Sequence, residues 1–313
     1  MSKIDSSDGR LYNMDLYQII EYKRREFGND DYYNYDKSVA LETIGEIYID
    51  SLLIDDFIFE STLCITNEGI GDKLSNLKDN VMSHIRKLGD KIIDWLDKIF
   101  SKLSDSKELM NKEEAMTLYN KYSSKIKINA PEYDYEPNDL LVKIKGLNDN
   151  IKWIVDYIIK SFKSGKDYNP NKCTINSFAG PLITPDGKVN NKVACILAEN
   201  LIVVNTKFRY RTIKDAIDKQ SFQRALDLNT FRNSVKELKS NAKDFFDYTI
   251  KMIKKMDNSD MDSSTASRLT SELTKWTNCY ARTTTAILNR YIYELNKLKN
   301  FMVSTIKVMK KAK

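Results

Sequence analysis

One histidine, four cysteines and several acidic pairs are the residues in the chain that first suggest catalysis or metal binding. His84 is the sole histidine, so a triad, a zinc site or a histidine base would have to be built on it alone. It falls on the polar flank of a helical pattern over 70–103 and reads as a surface residue. Cys64, Cys173, Cys195 and Cys279 are widely spaced, form no CxxC pair and lie far from His84 in sequence. They read as reduced, buried thiols. Asp55 and Asp56 are adjacent, as are Glu113 and Glu114, while Asp90, Asp94 and Asp97 share one helical face. Carboxylates on helices are ordinarily solvated and paired with lysines four residues on, as Asp94 would be with Lys98. HExxH, GxxxxGK[ST], GxGxxG and GxSxG are all absent. The expectation is a protein without catalytic residues, cofactor, metal or small-molecule substrate.

Charge is more informative. Residues 1–68 carry a net −9, residues 69–229 +6 and residues 230–313 +9. An acidic leader thus precedes a basic remainder. Its first ten residues, MSKIDSSDGR, lack the apolar stretch of a secretory signal. The C-terminal lysines Lys307, Lys310, Lys311 and Lys313 are candidates for contact with phosphate or a partner. DNA contact through them would be non-specific and salt-sensitive. No base-reading motif is visible, and Tyr291 and Tyr293 read as packing or surface residues.

The elements follow from spacing. Apolar residues make up 42% and charged residues 30%, with 10 glycines and 5 prolines, a balance that suits long water-facing helices. No apolar run reaches the roughly 18 residues of a membrane span. Residues 11–27 read as a short helix, 28–37 as a loop, and 38–60 as helix or strand. From Gly69 apolar residues recur every three or four positions to Leu103, and a second helix covers 105–127. The stretch NAPEYDYEPND reads as a loop before a helix over 139–163. Glycines, prolines and TPDGK mark 165–209 as a hairpin or irregular insertion, in which AENLIVVNTKF suits strand and buried helix equally. Two long helices then span 228–256 and 263–309, with Ser263 or Ser264 capping the second. The predicted fold is mainly α: an elongated helical bundle with a long C-terminal antiparallel helical hairpin and a small β or irregular insertion near 165–209. Four regions result: an acidic segment 1–68, a helical region 69–164, the insertion 165–209 and the hairpin 210–313.

On the 69–103 helix, Ile92, Trp95, Leu96, Ile99 and Phe100 form an apolar face for a membrane or a partner. Seven Lys/Arg against five Asp in 71–103 make the helix mixed in charge, and other helices of the chain offer a partner face, which favours core packing over a lipid surface.

The order FIFESTLCITNEGIGDKLSNLKDNVMSHIRKLGDKIIDWLDKIFSKL, residues 57–103, resembles the N-terminal part of internal virion or head structural proteins of large tailed bacteriophages. The resemblance implies a virion interior or head location, a host-cytoplasmic assembly stage, and other virion proteins or itself as partners. It also implies trimming by a prohead protease after glutamate in a Leu/Ile-x-Glu context. Ile58-Phe59-Glu60 fits, whereas Glu68 before Gly69 departs by placing Thr66 at the apolar position. The same pattern occurs at Ile19-Ile20-Glu21, Ile44-Gly45-Glu46, Leu197-Ala198-Glu199 and Ile292-Tyr293-Glu294. Removal of residues 1–68 would leave a body of net +15. Two other roles fit the same composition: a membrane-active pore or ejected channel protein, and a cytosolic helical adaptor or nucleic-acid-coating protein.

Overall fold

Short polar side chains set where most helices start. Asn111 accepts from the Glu113 amide at 3.0 Å and opens α2, Lys112–Tyr122. Asn190 opens α4, Asn191–Glu199, and Asp218 and Asp227 open α6, Lys219–Ala225, and α7, Leu228–Lys254. Pro137, whose ring already holds a helical φ, is the first residue of α3, Pro137–Lys163. The remaining helices are α1, Leu74–Asp105; the single turn α5, Ile213–Ala216; and α8, Ser263–Lys311. The computed structural model describes residues 74–105, 111–165, 168–255 and 263–312.

Four long helices make the body. α7 packs between α1 and α3, and α8 packs against the same two helices from the other side. Asp97 meets Lys239, and Gly89 lies against Phe246, so α1 and α7 run antiparallel. Lys145 meets Glu237 and Asp156 accepts from Tyr248, so α3 and α7 run parallel. The expected pair α7 and α8 is indeed antiparallel, since Phe231 meets Tyr291 at 5.5 Å and Phe245 meets Tyr280 at 4.2 Å. They are not, however, neighbours along their backbones. They occupy opposite corners and touch through rings across the centre, because α1 and α3 fill the grooves between them. Trp276, Tyr280, Tyr291, Phe231 and Phe245 are all fully buried there. Each such side chain contributes on the order of 1.5–3 kcal/mol relative to exposure.

α8, 49 residues long, extends about 73 Å at 1.5 Å per residue. Its buried face is rich in threonine. Thr277 and Thr285 turn their hydroxyls back to the carbonyls of Leu273 and Ala281, at 3.0 and 2.7 Å, which satisfies these groups inside the core.

Among the described residues four strands accompany the bundle. β2, Ile175–Ser177, and β3, Gly180–Ile183, form the small hairpin expected in the insertion, followed by a turn at Pro185–Gly187 in which Gly187 has φ +77°. A second pair was not expected: β1, Lys127–Tyr133, occupies what reads as a loop and pairs with β4, Val203–Thr212, in antiparallel register. The partners lie 70 to 85 residues apart, so local pattern cannot reveal the pairing. Pro131 within β1 is compatible with it because no third strand pairs with either edge among the described residues, and the one isolated bridge to this pair, Tyr133 with Ile217, lies beyond the proline. One hydrophobic cluster joins all these elements.

Candidate nucleic-acid interface

β4 reads VVNTKFRYRT, with basic and aromatic residues alternating from Lys207 to Arg211. Alternation along a strand sends Lys207, Arg209 and Arg211 to one face and Phe208 and Tyr210 to the other. The register pairs Arg211 with Ile128 and Arg209 with Ala130, and it pairs Tyr210 with Asn129. Ala130 is buried and Ile128 packs against the core, so their face turns towards the body. Lys127, Asn129 and Tyr210 lie on the face turned to water, where Tyr210 is 79% exposed, and Phe208 is 66% exposed.

The ribbon is held at its base. Arg211 donates from Nη1 to Glu132 Oε2 at 2.9 Å, and only 12% of its side chain is exposed. The Ile213 amide donates to the Ile126 carbonyl, and Thr212 caps α5 by accepting from the Asp215 amide at 3.2 Å. Tyr119 of α2 donates to the Ile217 carbonyl at 2.8 Å. At the other end Tyr133 packs its ring on Phe301 of α8, 4.9 Å between centroids. Between these anchors the register steps from Ala130–Arg209 to Glu132–Asn205, which places extra β4 residues opposite β1 and bulges the strand outward around 206–208. Lys207 and Arg209 are exposed and form no ion pair among the described residues. Charges on an open edge strand also discourage edge-to-edge aggregation. That role does not account for two large rings held in water beside them.

The C-terminal lysines lie on a helix that packs against α2, the element that leads into β1. Lys307 and Lys311 are exposed, and Lys310 is exposed but bridges Glu114 at 3.1 Å. Lys313 lies outside the described residues, as do Glu60, Glu68, Cys64, Asp55 and Asp56. Two other Leu/Ile-x-Glu matches sit on helices, and their glutamates, Glu199 and Glu294, both bind Arg290, at 3.0 and 2.6 Å. A protease would have to unwind helix to reach them.

Two surface expectations change. The apolar face of α1 is not a surface: Ile92, Trp95, Leu96 and Ile99 are buried, and only Phe100 stands at the exposed margin. α7 and α8 cover that face, so the hydrophobic demand that suggested a membrane or a separate partner is met within the chain. His84 is buried at 6% exposure rather than on the surface, because α8 lies over the flank that local sequence marks as polar. Its Nε2 lies 3.3 Å from Asn278 Oδ1, and burial lowers its pKa below the ordinary value, with Lys87 adding to the effect. Asp97 pairs across helices with Lys239. Glu113 and Glu114 occupy the first turn of α2, where carboxylates favour the helix dipole.

Among the described residues no cluster of three or more His, Cys, Asp or Glu is placed to hold a metal ion, and no helix is long and apolar enough to cross a membrane. Comparison with protein-family profiles, with curated proteins and with solved structures returns no match.

Proposed function

We propose that the chain is a structural protein that uses a rigid helical body to hold a basic, aromatic ribbon against nucleic acid, and that it does so inside or attached to the head of a tailed-phage virion. The observation that carries the nucleic-acid part is the KFRYR run of β4, exposed on an anchored ribbon, with Lys207 and Arg209 in no ion pair among the described residues. Each phosphate so contacted releases condensed counterions, and affinity falls as salt rises. Exposed Lys307 and Lys311 add further contacts of the same kind. The virion setting is supported by the resemblance over residues 57–103, and the acidic leader would then mask the basic body until assembly.

Two experiments test this reading. Binding of the full chain to a mixed-sequence DNA is measured by fluorescence anisotropy between 50 and about 200 mM salt, a range in which several phosphate contacts cost orders of magnitude in affinity. The double substitution Lys207→Ala, Arg209→Ala is expected to flatten the salt dependence by about two contacts, each worth roughly 0.7–0.9 in log–log slope. No binding at the lowest salt, or an unchanged slope, defeats the nucleic-acid part. Intact-mass analysis of purified particles tests the setting: the chain present with residues 1–60 or 1–68 removed is the expected result, and its absence from particles rejects it.

A further inference from the structure

We infer that the outer face of the ribbon takes unpaired bases, so that the preferred ligand is single-stranded rather than duplex nucleic acid, with one base on Phe208 and one on Tyr210. This rests on the nucleic-acid reading above and specifies its ligand. The two rings are two residues apart on one strand, up to about 6.6 Å along it, with Phe208 where the bulge begins. That is roughly twice the 3.4 Å per nucleotide of a stacked duplex strand. The rings therefore match successive bases pulled apart from one another, each laid on its own ring, and do not match bases still stacked in a helix. Aromatic stacking of this kind is indifferent to sequence, because every base presents a flat face.

The surroundings fit the same ligand. Asn129, directly opposite Tyr210, is an exposed amide on the ring-bearing face that can donate to and accept from a base edge. Lys127 shares that face, and Lys207 and Arg209 project from the other side of the same strand, so cations flank the rings for the phosphates on either side. A duplex offers no such use for the rings, since its bases are closed against one another and its grooves are read by polar side chains. A lipid surface suits the rings but not the amide beside Tyr210, which would lose its water without gaining a partner.

The test compares a twelve-nucleotide oligo(dT) with a twelve-base-pair duplex by fluorescence anisotropy at one salt concentration, using the full chain. Oligo(dT) is expected to bind at least about tenfold more tightly than the duplex, since stacking contributes roughly 1–3 kcal/mol per base. Phe208→Ala with Tyr210→Ala should cost oligo(dT) about tenfold or more and leave the duplex within about twofold, while Phe208→Tyr with Tyr210→Phe retains the preference. Trp153→Ala, which removes an exposed ring of α3 outside the ribbon, should change neither. Because Phe208, Tyr210 and Trp153 are exposed, melting curves of their variants should match the parent. Equal affinity for the two probes, or an equal loss on both from the aromatic double variant, overturns the inference. If Lys207→Ala with Arg209→Ala weakens duplex binding while the aromatic variant changes nothing, phosphate contact stands and stacking falls; if neither probe binds, both fall. Co-sedimentation with phosphatidylglycerol vesicles that disappears in the aromatic variant would replace the base ligand with a membrane surface.

Discussion

Gly89 of α1 faces Phe246 of α7 so closely that a Cβ at Gly89 would lie 3.0 Å from the Phe246 Cγ. Mid-helix glycine is unfavourable by about 0.8–1.0 kcal/mol relative to alanine, so on helix propensity alone Gly89→Ala should stabilise the protein. Phe246 cannot retreat, because it is buried and its ring is wedged edge-on against Phe245 at 5.2 Å and Tyr280 at 5.7 Å. We expect Gly89→Ala to gain nothing and Gly89→Val to lose about 1–3 kcal/mol, the range for overpacking a close contact. Urea denaturation checks this. A Gly89→Val protein as stable as the parent would show that the α1–α7 approach is not set by this glycine.

Burial of His84 makes the bundle sensitive to acid. Its folded-state pKa is lowered chiefly by desolvation; the hydrogen bond to Asn278, which faces it from α8, opposes this, and Lys87 adds a smaller lowering. In the unfolded chain the ring titrates near 6.5. Between the two values the unfolded state binds more protons, so the stability tied to neutral His84 is complete above pH 6.5 and declines as pH falls below it. Glu294 acts in the opposite sense, since burial raises its pKa and the folded state then holds its proton more readily. The variant His84→Gln keeps a neutral group able to bond Asn278 and isolates the histidine. Its melting temperature should fall less between pH 7 and pH 5 than the parent's.

These two sites show what local sequence can and cannot convey. The rhythm Val81, Ile85, Leu88, Ile92, Leu96, Ile99 is a property of one helix, and every one of these residues is buried as the spacing predicts. His84 lies between those positions, on a flank that seems polar until α8 crosses it, so its burial depends on a residue 194 positions away. The same limit explains β1. NAPEY has turn-forming residues and a proline, and only the distant β4 supplies the hydrogen bonds that make it a strand. The KFRYR alternation was present in the sequence, but a run of basic and aromatic residues has no direction until pairing assigns its faces.

Lys299 is a cation with no carboxylate paired to it among the described residues. Burial lowers its pKa to about 8, and the nearby Arg232 guanidinium contributes in the same sense. For a base with a depressed folded-state pKa, the unfolded chain holds more protons between about 8 and its ordinary 10.5. Stability tied to this group therefore rises with pH across that window. Lys299→Met keeps the apolar stem and removes the desolvated charge, and it should raise the melting temperature at pH 7 by about 2 °C, the shift that roughly 0.5–1 kcal/mol produces in a chain of this size. The gap between variant and parent should narrow as pH is raised to 9.5. A gap that is constant across this range would mean that Lys299 is already solvated in the folded chain.

The bridge between Lys310 and Glu114 ranks the C-terminal lysines. Both side chains are close to half exposed, so the pair adds under about 1 kcal/mol to stability, but it holds the Lys310 ammonium against a carboxylate instead of leaving it free for phosphate. Lys307→Ala and Lys311→Ala should therefore each weaken binding to nucleic acid more than Lys310→Ala does. Glu114→Gln releases Lys310 and removes a negative charge from the same surface, so it should increase affinity about twofold and steepen the log–log salt slope by less than one contact, roughly 0.7–0.9. Titrations of the four variants at two salt concentrations separate the cases, because a general charge effect would make all three lysines equivalent. Equal losses at Lys307, Lys310 and Lys311, with Glu114→Gln indistinguishable from the parent, would mean that the pair opens freely in solution and that the C-terminus acts only through its net charge.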